Sequence, residues 1–157
     1  VGCEGVGSPQ VGPAAGPVGG VARLRQPGAE ERGVGARAQE VVGGLAPLDM
    51  GQGCVGASGH ILAVEAFGGT QWMLSSLSEL RPADWPEGGV LYKAPKAGQE
   101  RRVDLPAIGL ETMAQAARAG LVGVAILHGE VVALDLPDVI AEADRLGLFL
   151  WVCEAEL

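Results

Sequence analysis

Short apolar runs, separated by glycine, proline and polar residues, recur along the chain from about residue 38. Runs of this length that contain β-branched residues and end at turn residues are typical of buried strands. The turn residues at 57–59 predict a hairpin between the strands before and after them, and those at 128–130 predict a second hairpin. We therefore expect strands at residues 53–56, 61–66, 90–92, 121–127, 131–134 and 148–152.

Apolar residues near a 3.6-residue period, together with alanine-rich stretches, predict three helices between these strands. The first covers residues 70–80 and uses Thr70 as its N-terminal cap. The others cover residues 111–119 and 137–146 and each ends at a glycine. Because strands and helices alternate, we expect an α/β fold with a mixed sheet and flanking helices.

Residues 1–37 have a different character. They alternate Gly, Pro, Ala and Arg without a strand or helix period, and Leu24 is their one residue of the Leu, Ile and Phe types. Ordering a backbone costs about 1–2 kcal/mol per residue, which so little apolar surface does not offset. We predict an irregular Gly/Pro-rich segment at residues 1–37 and one globular domain at residues 38–157.

The composition narrows the class of protein. A length of 157 residues suits one domain, and 11 Lys and Arg against 19 Asp and Glu give a net charge of −8. Such acidity argues against a nucleic-acid-binding surface. No apolar run is long enough to span a membrane, and three widely spaced cysteines predict buried thiols rather than disulfides. We expect a cytoplasmic protein.

One segment runs against the overall acidity. It follows a predicted strand, where α/β folds commonly place ligand sites. Converging ammonium and guanidinium groups suit a phosphate or diphosphate, although a solvated loop whose charges pair with one another is the alternative. Four of the 11 basic residues fall within ten positions here, beside Gln99: Lys93, Lys96, Arg101 and Arg102.

Two carboxylates stand in apolar surroundings. Asp104 lies between Val103 and Leu105, where a charge is costly without a partner. A Mg²⁺ ion that also binds phosphate oxygens would be such a partner, and Glu65, at the end of a predicted strand, is a second candidate ligand. The alternatives are a turn-forming Asp before Pro106 and a solvent-facing Glu at a strand end.

The histidines and serines indicate no other catalytic pattern. His60 and His128 lack metal-ligand spacing, and we expect both to be exposed in turns. Ser75, Ser76 and Ser78 lie on the first predicted helix and lack the context of a nucleophile elbow.

Several segments, taken together, resemble a known family. Their order and spacing are similar to those of the C-terminal domain of the LpxI-type UDP-2,3-diacylglucosamine pyrophosphatases. The resemblance covers about residues 38–152, and its most specific part is residues 93–106. The segments are LAPLDMGQGCV, LAVEAFGGTQWML, GGVLYKAPKAGQERRVDLPAIG, AARAGLVGVAI and the ending VIAEADRLGLFL.

This resemblance implies a Mg²⁺-dependent hydrolase of lipid A biosynthesis, peripheral to the cytoplasmic face of the inner membrane of Gram-negative bacteria. Such enzymes split the diphosphate of UDP-2,3-diacylglucosamine into UMP and 2,3-diacylglucosamine 1-phosphate. The membrane surface would be a partner, nucleic acid would not, and homo-oligomerisation stays open. A Rossmann-like N-terminal domain is expected ahead of this one, with the active site near their junction.

The resemblance also implies roles for individual residues. Asp104 matches the Asp of the family's Asp-Leu-Pro and is the expected catalytic residue, either holding the metal or orienting the attacking water. Glu65 and Glu100 are the further metal candidates. The expected substrate-binding residues are Lys93, Lys96, Gln99, Arg101, Arg102 and Thr70.

Three departures from the family pattern bear on activity. Gly68 and Gln71 stand where the family commonly has acids, and if either acid serves the metal in the family, metal affinity or rate is expected to be lower here. Glu100 replaces a usual Asp, and its longer side chain could still reach a cation with a different geometry. Residues 1–37 stand in place of the Rossmann-like domain and resemble a high-GC coding sequence read out of frame. We therefore expect a frameshifted or truncated N-terminal region. A catalytically silent anion-binding or assembly module is the alternative function.

Overall fold

A mixed sheet organises the part of the chain that the computed structural model describes, residues 3–5, 25–95 and 105–153. Its six strands follow the order β1-β8-β6-β4-β2-β3, and β5 and β7 form a separate pair. β4, β6 and β8 are mutually parallel, whereas β1, β2 and β3 pair antiparallel with their neighbours. The strands are β1 (Cys3–Gly5), β2 (Gly53–Ala57), β3 (His60–Val64), β4 (Val90–Lys93), β5 (Ala107–Ile108), β6 (Gly123–Leu127), β7 (Val132–Ala133) and β8 (Phe149–Cys153).

Helices cover both faces of this sheet. They are α1 (Ala29–Leu45), α2 (Gly69–Leu80), α3 (Leu110–Arg118) and α4 (Leu136–Leu146). Successive strand residues point to opposite faces, and accordingly Ala125 packs in the core beneath α1 while Val124 and Ile126 pack in the core beneath α2, α3 and α4. This arrangement confirms the predicted α/β fold with a mixed sheet and flanking helices.

The expectation of irregular structure through residue 37 is wrong for the helical residues 29–37. Val34, Ala38 and Val42 recur every four residues, and all three are buried against the sheet. Gly35 lets the helix approach Trp151, because a Cβ there would lie 2.4 Å from the indole ring. Tertiary packing thus stabilises a sequence whose glycines disfavour an isolated helix.

The predicted hairpin across residues 128–130 is also wrong. A turn does follow β6, with Gly129 at φ 70°, but β7 pairs in parallel with β5 instead of folding back on β6. Both edges of β6 are already hydrogen-bonded, to β4 and to β8. The turn therefore passes the chain to a second, two-stranded sheet.

Most other predicted elements are confirmed to within a few residues. Ser58 and Gly59, at φ 47° and 77°, form the tight turn of the β2–β3 hairpin. Thr70 is not the cap of α2, because Gly68 occupies that position without a side-chain hydrogen bond. His60 and His128 are exposed, and Cys54 and Cys153 are buried cysteines outside any disulfide, as expected. Within the described residues, no helix is both long and apolar enough to cross a bilayer.

Candidate functional site

Four chain segments meet near the carboxyl end of β4 and bring three polar side chains together. Glu65 directly follows β3, Thr70 lies in the first turn of α2, and Lys93 ends β4. The Thr70 hydroxyl donates a hydrogen bond of 2.6 Å to Oε2 of Glu65. The Lys93 ammonium donates one of 3.2 Å to the carbonyl oxygen of Ala107, the first residue of β5. We call Glu65, Thr70 and Lys93 the polar cluster.

Two glycines make room for the polar cluster. Gly53 is the register partner of Lys93, and a Cβ on it would lie 3.0 Å from Oε2 of Glu65 and 3.6 Å from Cγ of Lys93. Gly51 has a left-handed φ of 62°, and a Cβ there would collide with the Glu65 carbonyl oxygen at 2.0 Å. The Glu65 amide donates to the Gly53 carbonyl at 2.8 Å, which fixes the backbone from which the carboxylate extends.

Both charged members of the polar cluster are buried. Glu65 is 8% exposed and Lys93 is 5% exposed, so the alternative of a solvent-facing Glu65 is wrong. Desolvation lowers the pKa of Lys93, and the negative charge of Glu65 partly opposes that shift. The pair thus places opposite charges close together where water is largely excluded, which strengthens their attraction.

Glu65 is the one predicted metal ligand that lies among the described residues. Among residues 25–95 and 105–153, no three His, Cys, Asp or Glu side chains gather to hold a metal ion. Oε2 of Glu65 accepts the hydrogen bond from Thr70 and an ammonium group lies nearby, so a role of Glu65 in binding Mg²⁺ stays a prediction. The other two metal candidates, Asp104 and Glu100, lie outside the described residues.

Much of the predicted site falls in residues 96–104, which also lie outside the described part of the chain. In sequence, this stretch begins three residues after Lys93 and ends three residues before Ala107. The two residues joined by the Lys93 hydrogen bond therefore bracket it. The predicted residues within it are Lys96, Gln99, Glu100, Arg101, Arg102 and Asp104.

The structure adds two features that the sequence reasoning missed. One is the burial of Lys93, for which the apolar neighbours Tyr92 and Ala94, both buried, were the available signal. The other is the carbonyl of Ala107 as its partner, 14 positions away, for which the sequence carried no signal.

Gly68, where the family commonly has an acid, packs against Trp72, since a Cβ there would lie 2.8 Å from the indole Cγ.

Comparison with known proteins identifies the class of this domain. The family model of the LpxI C-terminal domain matches residues 18–151, and the chain belongs to this family. The resemblance predicted from sequence is confirmed, and the match begins twenty residues before the expected start at residue 38.

A curated relative makes the comparison more specific. The UDP-2,3-diacylglucosamine pyrophosphatase LpxI of Caulobacter vibrioides is 47% identical to this chain over 123 residues. The alignment covers 73% of this chain and 42% of the relative, so the chain spans less than half the length of that protein.

Proposed function

We propose that this chain forms part of a hydrolase that splits the diphosphate of UDP-2,3-diacylglucosamine into UMP and 2,3-diacylglucosamine 1-phosphate. The observation that carries the proposal is the 47% identity to a relative whose name states a pyrophosphatase acting on that substrate. The position of the polar cluster adds support, because ligands of open α/β sheets bind beyond the carboxyl ends of parallel strands.

The proposal assigns the chemistry to residues 96–104. Asp104 acts as the catalytic carboxylate that orients the attacking water or holds a metal. Lys96, Gln99, Arg101 and Arg102 bind the diphosphate and neutralise the charge that develops on it. A contact of Thr70 with substrate stays a prediction, since its hydroxyl is directed to Glu65.

Magnesium dependence is part of the proposal, with Asp104, Glu65 and Glu100 as the candidate ligands. When bound, the ion would neutralise phosphate oxygens. We expect EDTA to abolish UMP release and added Mg²⁺ to restore it. Activity that is unchanged in EDTA would remove the metal from the proposal.

The substitutions at Gly68 and Gln71 favour a second candidate function. Neither side chain carries a carboxylate, so a domain that has kept its fold and basic segment would bind anions without hydrolysing them. This alternative is a catalytically silent anion-binding or assembly module.

Two measurements on the purified chain distinguish these functions. Isothermal titration of UDP-2,3-diacylglucosamine with Mg²⁺ reports binding, and chromatography of the same mixture reports UMP. Binding with UMP release supports the hydrolase, and binding without release supports the module. A folded chain that shows neither contradicts both.

We further propose that the protein works at the cytoplasmic face of a membrane, as a peripheral partner of the lipid surface. Large apolar side chains exposed on and around α2 support this, because they would contact acyl chains at a bilayer surface. Co-sedimentation with anionic phospholipid vesicles should fall for Trp72→Ser, with Val132→Ser as the control away from this surface. The exposed side chains are Phe67, Trp72, Leu80 and Trp85.

A further inference from the structure

Lys93 connects the two sheets of the domain. Lys93 is the last residue of β4 in the central sheet. Its ammonium donates a hydrogen bond to the carbonyl oxygen of Ala107, the first residue of β5 in the two-stranded sheet. With 5% of the residue exposed, this contact is sheltered from water. A hydrogen bond from a charged donor in such surroundings is stronger than one at the surface.

A second interaction acts on the Lys93 ammonium. Thr70 orients the Glu65 carboxylate, and that carboxylate attracts the Lys93 ammonium. Two hydrogen bonds and one electrostatic attraction therefore link α2, Glu65, β4 and β5. Within this set, the hydrogen bond from Lys93 restrains Ala107 relative to the central sheet.

We infer that Lys93 is a positioning residue, which holds Ala107, and that it does not itself bind the diphosphate. The inference rests on the proposed function. A cation that binds a diphosphate must present its ammonium to the ligand, whereas that of Lys93 is buried and directed at a backbone carbonyl. Ala107 is three residues from Asp104, so its restraint acts close to the proposed catalytic carboxylate.

Steady-state kinetics of Lys93→Met, with Lys96→Met as the matched control, test this role. For Lys93→Met we expect kcat to fall about tenfold, while KM stays within about twofold of the parent value and keeps its salt dependence. For Lys96→Met we expect KM to rise and its salt dependence to weaken, because a ligand of the diphosphate is lost. Lys93→Arg retains a charged donor and should recover part of kcat.

Either of two kinetic outcomes overturns the inference. One is a Lys93→Met variant that behaves like Lys96→Met, since Lys93 would then be a diphosphate ligand. The other is unchanged kcat and KM. Should Lys93→Met fail to fold, Glu65→Gln replaces it, because it weakens the attraction to Lys93 while keeping an oxygen for Thr70. Its kcat should fall at unchanged KM, and parent kinetics would overturn the inference.

Hydrogen exchange gives a readout that does not need turnover. Val132 and Leu134 donate backbone hydrogen bonds to Pro106 and Ile108, which flank Ala107. Their amides should exchange faster in Lys93→Met and at the parent rate in Lys96→Met. If the parent chain releases no UMP, the proposed function fails, and this exchange alone decides whether Lys93 anchors Ala107. Equal rates in all three proteins overturn the anchoring.

Discussion

The polar cluster places two opposite charges where solvent reaches 8% of Glu65 and 5% of Lys93. Burying either charge alone is costly, so their mutual attraction and the hydrogen bonds to Thr70 and Ala107 must offset much of the desolvation. Removing one charge leaves the other without compensation, and removing both relieves that penalty.

A double-mutant cycle on Glu65 and Lys93 should show this coupling. We expect Glu65→Gln and Lys93→Met each to lower the free energy of unfolding by about 2–3 kcal/mol, and the double variant to lose at least about 1 kcal/mol less than their sum. Urea denaturation measures all four free energies. Strict additivity would mean that the two charges do not interact in the folded state.

Cys54 predicts a specific dependence of stability on pH. It is fully buried, and desolvation raises the pKa of its thiol from 9.0 to about 12. A raised folded-state pKa means that the folded protein holds the proton more tightly than the unfolded chain does. The contribution of the Cys54 thiol to the free energy of unfolding is therefore complete below pH 9 and is lost as the pH rises from 9 towards 12.

Comparison with Cys54→Ala isolates this contribution. The free energy of unfolding of the parent minus that of Cys54→Ala should fall by about 1.4 kcal/mol per pH unit above pH 9. The effects of other titrating groups cancel in this difference. Urea denaturation between pH 8 and pH 10.5 measures it. A difference that is constant over this range would show that the folded thiol ionises as readily as the unfolded one.

Among the elements, α1 depends most on its contacts with the rest of the fold. It buries Val34, Ala38 and Val42 on the sheet, and its glycines carry a cost of about 1 kcal/mol each relative to alanine in a helix. Gly35 offsets that cost through its approach to Trp151, whereas a Cβ on Gly33 would meet no neighbouring atom within 4 Å.

Replacing Gly35 or Gly33 by alanine should therefore change the stability of the protein in opposite directions. Gly35→Ala places a methyl group 2.4 Å from the Trp151 ring and should destabilise the protein by about 1–3 kcal/mol. Gly33→Ala should stabilise it by about 0.5–1 kcal/mol through helix propensity. Urea midpoints of the two variants check this. Stabilisation by both would mean that α1 does not pack on Trp151.

The elements that sequence reasoning predicted are those with strong local signals. Turn residues located the β2–β3 hairpin, and Pro137 and Gly147 delimited α4. Helix α1 was missed because its stability comes from the sheet rather than from its own residues. The pairing of β5 with β7 was missed because sequence separates them by more than twenty residues and local pattern does not encode such pairing.

At the scale of the molecule, the parallel strands β4, β6 and β8 end on the same edge of the sheet, at Lys93, Leu127 and Cys153. Residues 93–102, which begin at the end of β4, hold four of the 11 Lys and Arg residues and one acid, in a chain of net charge −8. A local basic segment on an acidic protein attracts an anionic substrate to one place and repels it elsewhere.

Two members of the polar cluster, Glu65 and Lys93, could be selected from the sequence as candidates, but their spatial arrangement could not be predicted. Lys93 was identified as a functional candidate because it lies in a cluster of basic residues, and Glu65 because it ends an apolar strand. Their proximity arises from the pairing of β2 with both β3 and β4, which brings residues 28 positions apart together across Gly53. Pairing over that separation is a property of the folded sheet.

The most direct test of the central claim is UMP release from UDP-2,3-diacylglucosamine by the purified chain with Mg²⁺, compared between the parent, Asp104→Ala and the exposed-residue control Asp84→Ala. The account predicts release by the parent and by Asp84→Ala, and none above background by Asp104→Ala, with substrate binding retained in all three. Release by Asp104→Ala at the parent rate, or a folded parent that binds substrate and releases no UMP, would contradict it.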